Sequence, residues 1–325
     1  MSLPRNSIMV TGAAAIIGQG IVRSLRLAAV DHRILGLDRA ANSYSASLCD
    51  GCHRKPFLED NPNYFPWLRG LIEEERVSLI LPGIEEDMFF LHDHRSEWQD
   101  WPVKLVLSSA TAIEAGRDKW HLHELLMQHH LPAIPTMAVG EWSAFKRQLG
   151  EPPFIVKAKR GSGSRGQMIL RTEDDWQQNR FKYGDAHLVQ KVIGQDDEEY
   201  TVAMFGFGDG TTTACSIMKR KLWNGSTWIA EVMDGNAELE SYCAALNRLL
   251  TPLGPTNYQF RRDGSTWLVL EINPRISSST SIRAGFGFNE AVMCVDYYLH
   301  QRTPHPGPLR KGRCQRYVAD HFEFA

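Results

Sequence analysis

Short apolar segments alternate with amphipathic ones over the first hundred or so residues of this 325-residue chain. The apolar segments have the length of buried strands and lie at residues 8–10, 33–38, 77–82 and 103–107. Apolar side chains at helical spacing fill residues 18–30 and 67–75 between them. Strands separated by helices predict a parallel, doubly wound sheet. Such sheets bind ligands at the carboxyl ends of their strands, here near Gly12 and residues 83–87.

Beyond residue 118 the pattern changes from alternation to successive strands. A helix is predicted at residues 118–130. Predicted strands then follow one another, at residues 152–159, 167–171, 187–193, 199–205, 257–261 and 267–272. Successive strands favour antiparallel pairing in an α+β region. We therefore expect an α/β front domain with a doubly wound parallel sheet, followed by α+β subdomains.

The composition is that of an ordinary soluble protein. Apolar residues make up 43% of the chain, charged residues make up 23%, and the formal net charge is -2. No run of lysine or arginine marks a surface for nucleic acid or an anionic membrane, so we expect neither as a partner. An anionic ligand must therefore be held by a few placed residues.

The segment at residues 7–18 faintly resembles a secretory signal. Thr11 and Gly12 interrupt its apolar run, and Ile17 and Ile21 then follow at helical spacing. A strand, a tight turn and an amphipathic helix fit this segment better. No later apolar run is long enough to cross a bilayer. Because the cysteines are also scattered, we predict a cytoplasmic location.

Cys49, Cys52 and His53 formally match a c-type haem attachment site. No second cysteine pair accompanies them, and no further Cys-x-x-Cys or His-x-x-His completes a zinc site. We interpret the segment as a surface turn that carries two incidental thiols.

The strand predicted at residues 267–272 runs into Glu271, Asn273 and Arg275. Because side chains alternate along a strand, Glu271 and Asn273 share one face, and Arg275 can continue that face beyond Pro274. Carboxylate and amide oxygens are good ligands for Mg²⁺, and a guanidinium can hold a phosphate oxygen. A strand end with a solvated carboxylate is the alternative at this point.

A hairpin strengthens the prediction of a metal site. Residues 257–260 precede a turn at residues 262–264 and would pair with residues 267–271. Gln259 would then lie across from Glu271 and supply a further oxygen.

A glycine-rich loop joins two of the predicted strands at residues 161–166. Its glycines let main-chain N–H groups approach phosphates closely, although a flexible turn would use them as well. The loop is not a Walker A motif, because Gln167 and Met168 stand where Lys and Ser or Thr are required. Lys157 and Lys119 offer cations to the same phosphates.

The order of these motifs resembles that of the ATP-grasp ligases, most closely the branch typified by the large subunit of carbamoyl phosphate synthetase. The motifs are Asp118-Lys119, Ile-Val-Lys157 with the glycine-rich loop, Val-Gln-Lys191, Glu-Tyr-Thr-Val202, Asn-Tyr-Gln-Phe260 and Glu-Ile-Asn-Pro-Arg275. The likeness covers essentially the whole chain, and its last two motifs are the most specific. It implies a Rossmann-like domain at residues 1–110, a central lid subdomain at 111–188 and a C-terminal subdomain with the metal site at 189–325. ATP would be clamped between the last two.

The resemblance also implies a role for individual residues. It assigns the α/β phosphates to Lys119 and Lys157, and the closing loop over the triphosphate to Gly161, Ser162, Gly163 and Gly166. It implies that backbone groups of Lys191, Val192 and Ile193 contact the edge of adenine, with Gln190 directly before them. It assigns the ribose to Glu199, with Glu198 as the alternative, and the magnesium ions to Gln259, Glu271 and Asn273. Arg275 would steady the γ-phosphoryl group and the carboxylate to which that group moves, and Arg283 would contact a substrate carboxylate.

The implied activity is an ATP- and Mg²⁺-dependent ligase that activates a carboxylate as an acyl phosphate and transfers it to an amine. The expected partners are therefore small-molecule carboxylates and amines, with a homodimer plausible. A non-catalytic nucleotide sensor is one alternative, and it predicts loss of a metal ligand or a phosphate-binding lysine. A dinucleotide-dependent oxidoreductase or epimerase is another, although residues 13–15 are alanines where its motif needs a second glycine. The basic residues 219–221 are interpreted as a solvated turn.

Overall fold

The computed structural model describes residues 6–39, 43–56, 62–161, 166–195 and 198–322. Within these residues, three sheets follow one another along the chain, with five, four and six strands. The α/β fold followed by α+β units that the sequence predicts is confirmed. No helix in the described ranges has the length and apolar character needed to span a membrane.

The first sheet is parallel, with strand order β3-β2-β1-β4-β5 and helices between its strands. Its elements are β1 (Ser7–Thr11), α1 (Ile16–Leu27), β2 (Arg33–Asp38), α2 (Ser43–Leu48), β3 (Gly51–Arg54), α3 (Tyr64–Glu74), β4 (Val77–Pro82), α4 (Glu85–Asp93), α5 (Arg95–Trp98) and β5 (Lys104–Leu105). Most residues of β1, β2 and β4 are buried and apolar, as expected for a sheet covered on both sides, although β1 also buries Ser7 and Thr11. The doubly wound sheet is therefore present as predicted.

The interpretation of Cys49 and Cys52 as residues of a surface turn was wrong. Cys52 lies on the edge strand β3, which pairs in parallel with β2, and both thiols are half-buried. Burial and the neighbouring Cys52 raise the pKa of Cys49 to about 11. Because thiolates are the reactive form of cysteine, Cys49 is chemically quiet at neutral pH.

The second sheet is antiparallel, with order β6-β9-β7-β8. Its region contains α6 (Ala110–Arg117), α7 (Lys119–Gln128), β6 (Thr136–Ala138), α8 (Trp142–Leu149), β7 (Phe154–Ala158), β8 (Met168–Leu170), α9 (Glu173–Asn179), a 3-10 turn (Arg180–Lys182) and β9 (His187–Lys191). It has its own aromatic core around Phe145, Phe154 and Trp176. The sheet runs to Lys191, past the expected domain boundary at 188, and the domain division stays a prediction.

The third sheet has order β14-β13-β10-β11-β12-β15. Its elements are β10 (Glu199–Phe207), β11 (Ser216–Trp223), β12 (Ser226–Val232), α10 (Ala237–Leu250), β13 (Leu253–Asp263), β14 (Thr266–Asn273), α11 (Thr280–Gly285), α12 (Glu290–Cys294), a π-helical turn (Val295–Leu299) and β15 (Arg313–Gln315). The β13–β14 hairpin predicted from the sequence is present.

The interpretation of residues 219–221 as a solvated turn was also wrong. They lie on β11, where alternate side chains point to opposite faces of the sheet. Arg220 is therefore buried and lies directly opposite Glu199 of the neighbouring strand β10, whereas Lys221 is exposed.

The first and third sheets share one apolar core. Ile8 and Val10 of β1 belong to the same cluster as Phe205 of β10 and Cys294 of α12. Helix α1 also packs against α11 and α12. The first and last parts of the described chain thus form one body, beside which the second sheet keeps a separate core.

The glycines of the first strand-to-helix turn are needed for close packing. A Cβ atom at Gly18 would overlap the carbonyl oxygen of Gly12, and a Cβ atom at Gly83 would overlap that of Thr11. The Ile84 side chain lies against Gly12, and the Ala14 N–H donates to Asp38 Oδ2 at 2.9 Å. Protein groups therefore fill the space around this turn.

We expect Gly18→Ala to destabilise the protein by about 2–3 kcal/mol, because the added methyl group overlaps backbone atoms that cannot rotate away. Gly70→Ala is the matched control. Gly70 lies exposed inside α3 with open space around its Cα, so alanine there should stabilise the helix by about 0.5–1 kcal/mol. The measurement is the thermal unfolding midpoint of each variant. A Gly18→Ala midpoint equal to that of the wild type would contradict the packing argument.

Candidate active site

The β13–β14 hairpin brings the predicted metal ligands together. Gln259 lies opposite Glu271, and Asn257 lies opposite Asn273. Cross-strand partners share a face, so Gln259, Glu271 and Asn273 present their oxygens on the same side of the sheet. Asn273 is buried, and its Nδ2 has no hydrogen-bond partner among the described residues. This set of carboxylate and amide oxygens is suited to a hard cation such as Mg²⁺.

Two lysines of the preceding region lie near this oxygen set. Lys157 is half-buried near the end of β7, close enough to Glu271 for the two charges to interact. Burial and the neighbouring Lys119 ammonium lower the pKa of Lys157 to about 8, and Glu271 only partly opposes this. The charge of Lys157 is thus poorly compensated in the free protein, which suits a lysine whose partner is an anionic ligand.

Asp118 fixes the base of the glycine-rich loop, a role that the sequence alone did not reveal. Its Oδ1 accepts from the backbone N–H groups of Trp120 and His121 and caps α7, while Oδ2 accepts from Arg160 Nε at 2.9 Å. Although burial opposes it, these hydrogen bonds lower the pKa of Asp118. Asp118 is therefore ionised at neutral pH and ties the start of the loop to the start of α7.

The described ends of the loop have the backbone that glycine allows. Gly161 and Gly166 have positive φ angles of 126° and 68°. Lys119 Nζ donates to the carbonyl oxygen of Gly161 at 2.6 Å. Ser162 and Gly163, which are predicted to cover the triphosphate, lie outside the described residues.

The segment predicted to meet adenine connects the second and third sheets. The Gln190 side chain is buried and donates to Thr136 Oγ1 at 2.8 Å. The Val192 N–H donates to Pro153 O, and the Ile193 carbonyl accepts from Arg261 Nη1 at 3.2 Å. Lys191 Nζ lies 3.9 Å from Asp263. The adenine contacts themselves stay a prediction.

Glu199 has two arginine partners. Its carboxylate is buried and accepts from Arg220 Nη2 at 2.6 Å and from Arg261 Nη2 at 3.5 Å. A contact with ribose would have to share these oxygens with the arginines. Glu198, the alternative, is exposed. Which of the two holds the ribose stays a prediction.

Arg275 lies where the third sheet meets the first. Its Nη1 donates to the carbonyl of Ile276 at 3.0 Å, and its Nη2 donates to Glu85 at the start of α4. Its Nε has no hydrogen-bond partner in the ranges that the structure describes. Arg275 therefore still has a donor to offer, and its role toward a γ-phosphoryl group stays a prediction.

The side chain of Arg283, by contrast, is not accessible to a ligand in the free protein. Its side chain is fully buried, and Nη1 donates to Ser277 Oγ at 2.7 Å and faces Glu290 at 3.4 Å. Its Nη2 donates to Thr201 Oγ1 at 2.8 Å and to Asn257 Oδ1 at 2.5 Å. This geometry gives Arg283 internal contacts that position Asn257, which stands beside the predicted ligands. The predicted contact with a substrate carboxylate is left without geometric support in the free protein.

One cluster elsewhere has metal-ligating side chains. His92, Asp93 and Glu114 offer ligand atoms within 4.8 Å of one another. Arg117 donates to Asp93 and to Glu114, and Arg95 donates to His92 Nδ1 at 3.1 Å. These arginines already compensate the carboxylates, so the cluster is explained as an ion-pair network.

Comparison with known proteins gives three findings. Residues 186–320 match the family described as ATP-grasp in the biosynthetic pathway with Ter operon. A D-alanine–D-alanine ligase from Methylocella silvestris is 30% identical over 111 residues, which are 31% of this chain and 33% of that ligase. The match thus spans about a third of the length of this curated relative.

The third finding is structural. The structure superimposes on N5-carboxyaminoimidazole synthetase from Staphylococcus aureus with a TM-score of 0.72 and 16% identity, over 95% of this chain and 82% of that one. The same enzyme has been solved in complex with ADP. L-amino acid ligase from Bacillus licheniformis gives a TM-score of 0.68 and 14% identity, over 92% and 75% of the two chains.

We expect Lys157→Met to stabilise the free protein at pH 7 while weakening its binding of Mg-ATP. The folded-state pKa of about 8 lies below the ordinary value of 10.5, so the unfolded chain binds more protons between these values. The penalty for burying the ammonium is present below pH 8 and disappears as the pH rises toward 10.5. The variant should therefore unfold roughly 2 °C or more above the wild type at pH 7, and the gain should shrink at pH 9.5.

The control is Lys146→Met, at an exposed position of α8. It should leave both the midpoint and Mg-ATP binding nearly unchanged at either pH. Equal midpoints for Lys157→Met and wild type at pH 7 would show that the buried ammonium carries no penalty.

Proposed function

We propose that this chain, whose fold is that of the ATP-grasp ligases, is an ATP- and Mg²⁺-dependent enzyme that joins a carboxylate to an amine. One observation carries the proposal. The oxygens of Gln259, Glu271 and Asn273 share one face of the β13–β14 hairpin, and the poorly compensated ammonium of Lys157 lies close to Glu271.

The residues fit Mg-ATP on chemical grounds. A half-buried lysine without a full counter-charge is unfavourable until an anion such as a phosphate reaches it. Three oxygen ligands on one face suit Mg²⁺, which usually keeps part of its coordination for water and substrate phosphates. When bound, Mg-ATP supplies the phosphoryl group, and the metal ion offsets its charge.

In this proposal the chain's own residues position charge and exclude water. Lys119 and Lys157 hold phosphate oxygens, and Arg275 neutralises the negative charge that grows on the transferring group. A substrate carboxylate takes up the γ-phosphoryl group and becomes an acyl phosphate, while ADP leaves. An amine then attacks the acyl carbon and displaces phosphate, which leaves an amide product. Closure of the glycine-rich loop over the site stays a prediction; it would protect the acyl phosphate from hydrolysis by water.

The substrate class that we favour is an amino acid or small peptide joined to another amine. The D-alanine–D-alanine ligase and the L-amino acid ligase named above support this choice by their names. The similarity to the carbamoyl phosphate synthetase branch, the cytoplasmic location and the homodimer stay predictions.

The contacts of the first strand-to-helix turn argue against a dinucleotide-dependent oxidoreductase or epimerase. That site would need open main-chain N–H groups next to a pyrophosphate. Here the Asp38 carboxylate accepts from the Ala14 N–H, and the Ile84 side chain covers Gly12. A non-catalytic nucleotide sensor would be expected to lack a metal ligand or a phosphate-binding lysine. Here Lys119, Lys157 and the three metal-ligand candidates are all present.

The test is phosphate release from Mg-ATP in the presence of each L-amino acid and D-alanine, singly and in pairs. We expect release that requires a carboxylate and an amine together. Glu271→Gln should lower it by at least about a hundredfold, because a charged metal ligand is lost. Glu231→Gln, at an exposed position of β12 on the same sheet, should behave like the wild type.

Two other results would change the proposal. Tight Mg-ATP binding without any stimulated release would favour the nucleotide sensor over an amino-acid ligase. No binding of Mg-ATP, measured by calorimetry, would rule out both.

A further inference from the structure

Arg275 and Glu85 form an ion pair between residues 190 positions apart in the sequence. Glu85 opens α4, directly after the carboxyl end of β4, and Arg275 follows the end of β14. The two side chains are 20% and 11% exposed, so the pair is largely shielded from water. A carboxylate thus lies on the guanidinium that the proposed function assigns to the transferring phosphoryl group.

The shared core keeps the backbones of these two residues close. Ile276, next to Arg275, belongs to the same apolar cluster as Leu81 of β4, which lies just before Glu85 in the chain. Rotation of the Glu85 side chain would therefore take its carboxylate off Arg275 without movement of the first sheet against the third.

Arg275 has donors besides the one that binds Glu85. Nη1 donates to the neighbouring carbonyl of Ile276, and Nε has no hydrogen-bond partner within the described residues. Arg275 also lines a small cavity with Pro82, Ser108 and Pro255. A guanidinium holds a carboxylate best through two parallel N–H···O bonds, which Arg275 can offer to an incoming anion once Glu85 has left.

We propose that Glu85 is an intramolecular competitor for the anion site of Arg275, where it occupies the place of the substrate carboxylate until a substrate displaces it. This inference rests on the proposed function. While Glu85 is in place, the charge of Arg275 is offset and does not assist phosphoryl transfer to water. Small anions that bring no other contacts are excluded, whereas a carboxylate with further contacts to the site displaces Glu85. Glu85 is thereby a specificity-determining residue of the proposed reaction.

The first sheet offers a matched control. Glu75 pairs with Arg33 and with His53, the latter at 2.9 Å, and its side chain is 14% exposed. It precedes the amino end of β4, whereas Glu85 follows the carboxyl end. Glu75→Gln removes a carboxylate of similar exposure at the opposite end of the same strand, where its partner Arg33 is 42% exposed.

The experiment is a calorimetric titration of inorganic phosphate into protein saturated with Mg-ADP. Phosphate is the anion that the site must release, and no amino-acid substrate has to be known. We expect Glu85→Gln to tighten phosphate binding about tenfold, because the competing carboxylate is gone. Glu85→Asp, whose shorter side chain keeps the charge but reaches less far, should give an intermediate affinity. Glu75→Gln should match the wild type, and Arg275→Ala should abolish the gain when combined with Glu85→Gln.

A second readout is hydrolysis of Mg-ATP without any added carboxylate. It should rise several-fold in Glu85→Gln, since the freed Arg275 can then assist transfer to water. Loss of a purely structural ion pair would instead weaken phosphate binding, so a tighter affinity separates the two roles.

Phosphate affinity that is unchanged or weaker in Glu85→Gln, with normal Mg-ADP binding, would overturn this inference and leave the proposed function intact. Absence of Mg-ADP binding in the wild type would overturn both. Unfolding midpoints of all variants establish that each one is folded before its affinity is compared.

Discussion

The antiparallel register of β13 and β14 sets Gln259 opposite Glu271 and Asn257 opposite Asn273, and the proposed chemistry depends on this pairing. A shift of β14 by one residue would turn Glu271 and Asn273 to the other face of the sheet, away from Gln259 and Asn257. On this same face, the buried guanidinium of Arg283 donates to Asn257 and Thr201 and pairs with Glu290. A buried charge is tolerated only when it is paired and hydrogen-bonded, so this network holds Asn257 in one orientation. The network thereby holds this face in place before any ligand binds.

The rest of the site is brought to this face by contacts between the sheets. The segment after β9 bridges the second and third sheets through Val192 and Ile193, while Asp118 ties Arg160 to the start of α7. The first sheet contributes the Glu85–Arg275 pair. Under the proposed function, the second sheet would supply cations, the third would supply oxygen ligands and Arg275, and the first would supply a competing carboxylate.

Much of this arrangement could be predicted from the sequence, because its signals are local. Apolar runs marked β1, β2, β4 and most strands of the later sheets, and the spacing in the hairpin was enough to set Gln259 across from Glu271. Short or polar strands gave no such signal. Strand β3 is only four residues long and lies at the sheet edge. Strand β11 carries the three basic residues 219–221, of which Arg220 is buried opposite Glu199 on the neighbouring strand. Strand preference of such residues depends on the neighbours that the fold provides. The pairs Glu85–Arg275 and Glu199–Arg220 are tertiary contacts, and no local pattern predicts which charges will meet.

The core shared by the first and third sheets has a consequence for folding during synthesis. Strand β1 is synthesised well before its core partners Phe288, Met293 and Val295, because the whole second sheet lies between them in the chain. The parallel sheet can form its own hydrogen bonds while one of its apolar faces is not yet covered by these three residues. Exposed apolar surface on a partly folded chain invites aggregation. The first sheet is therefore at risk of aggregation for the whole interval in which the second sheet is being translated and folded.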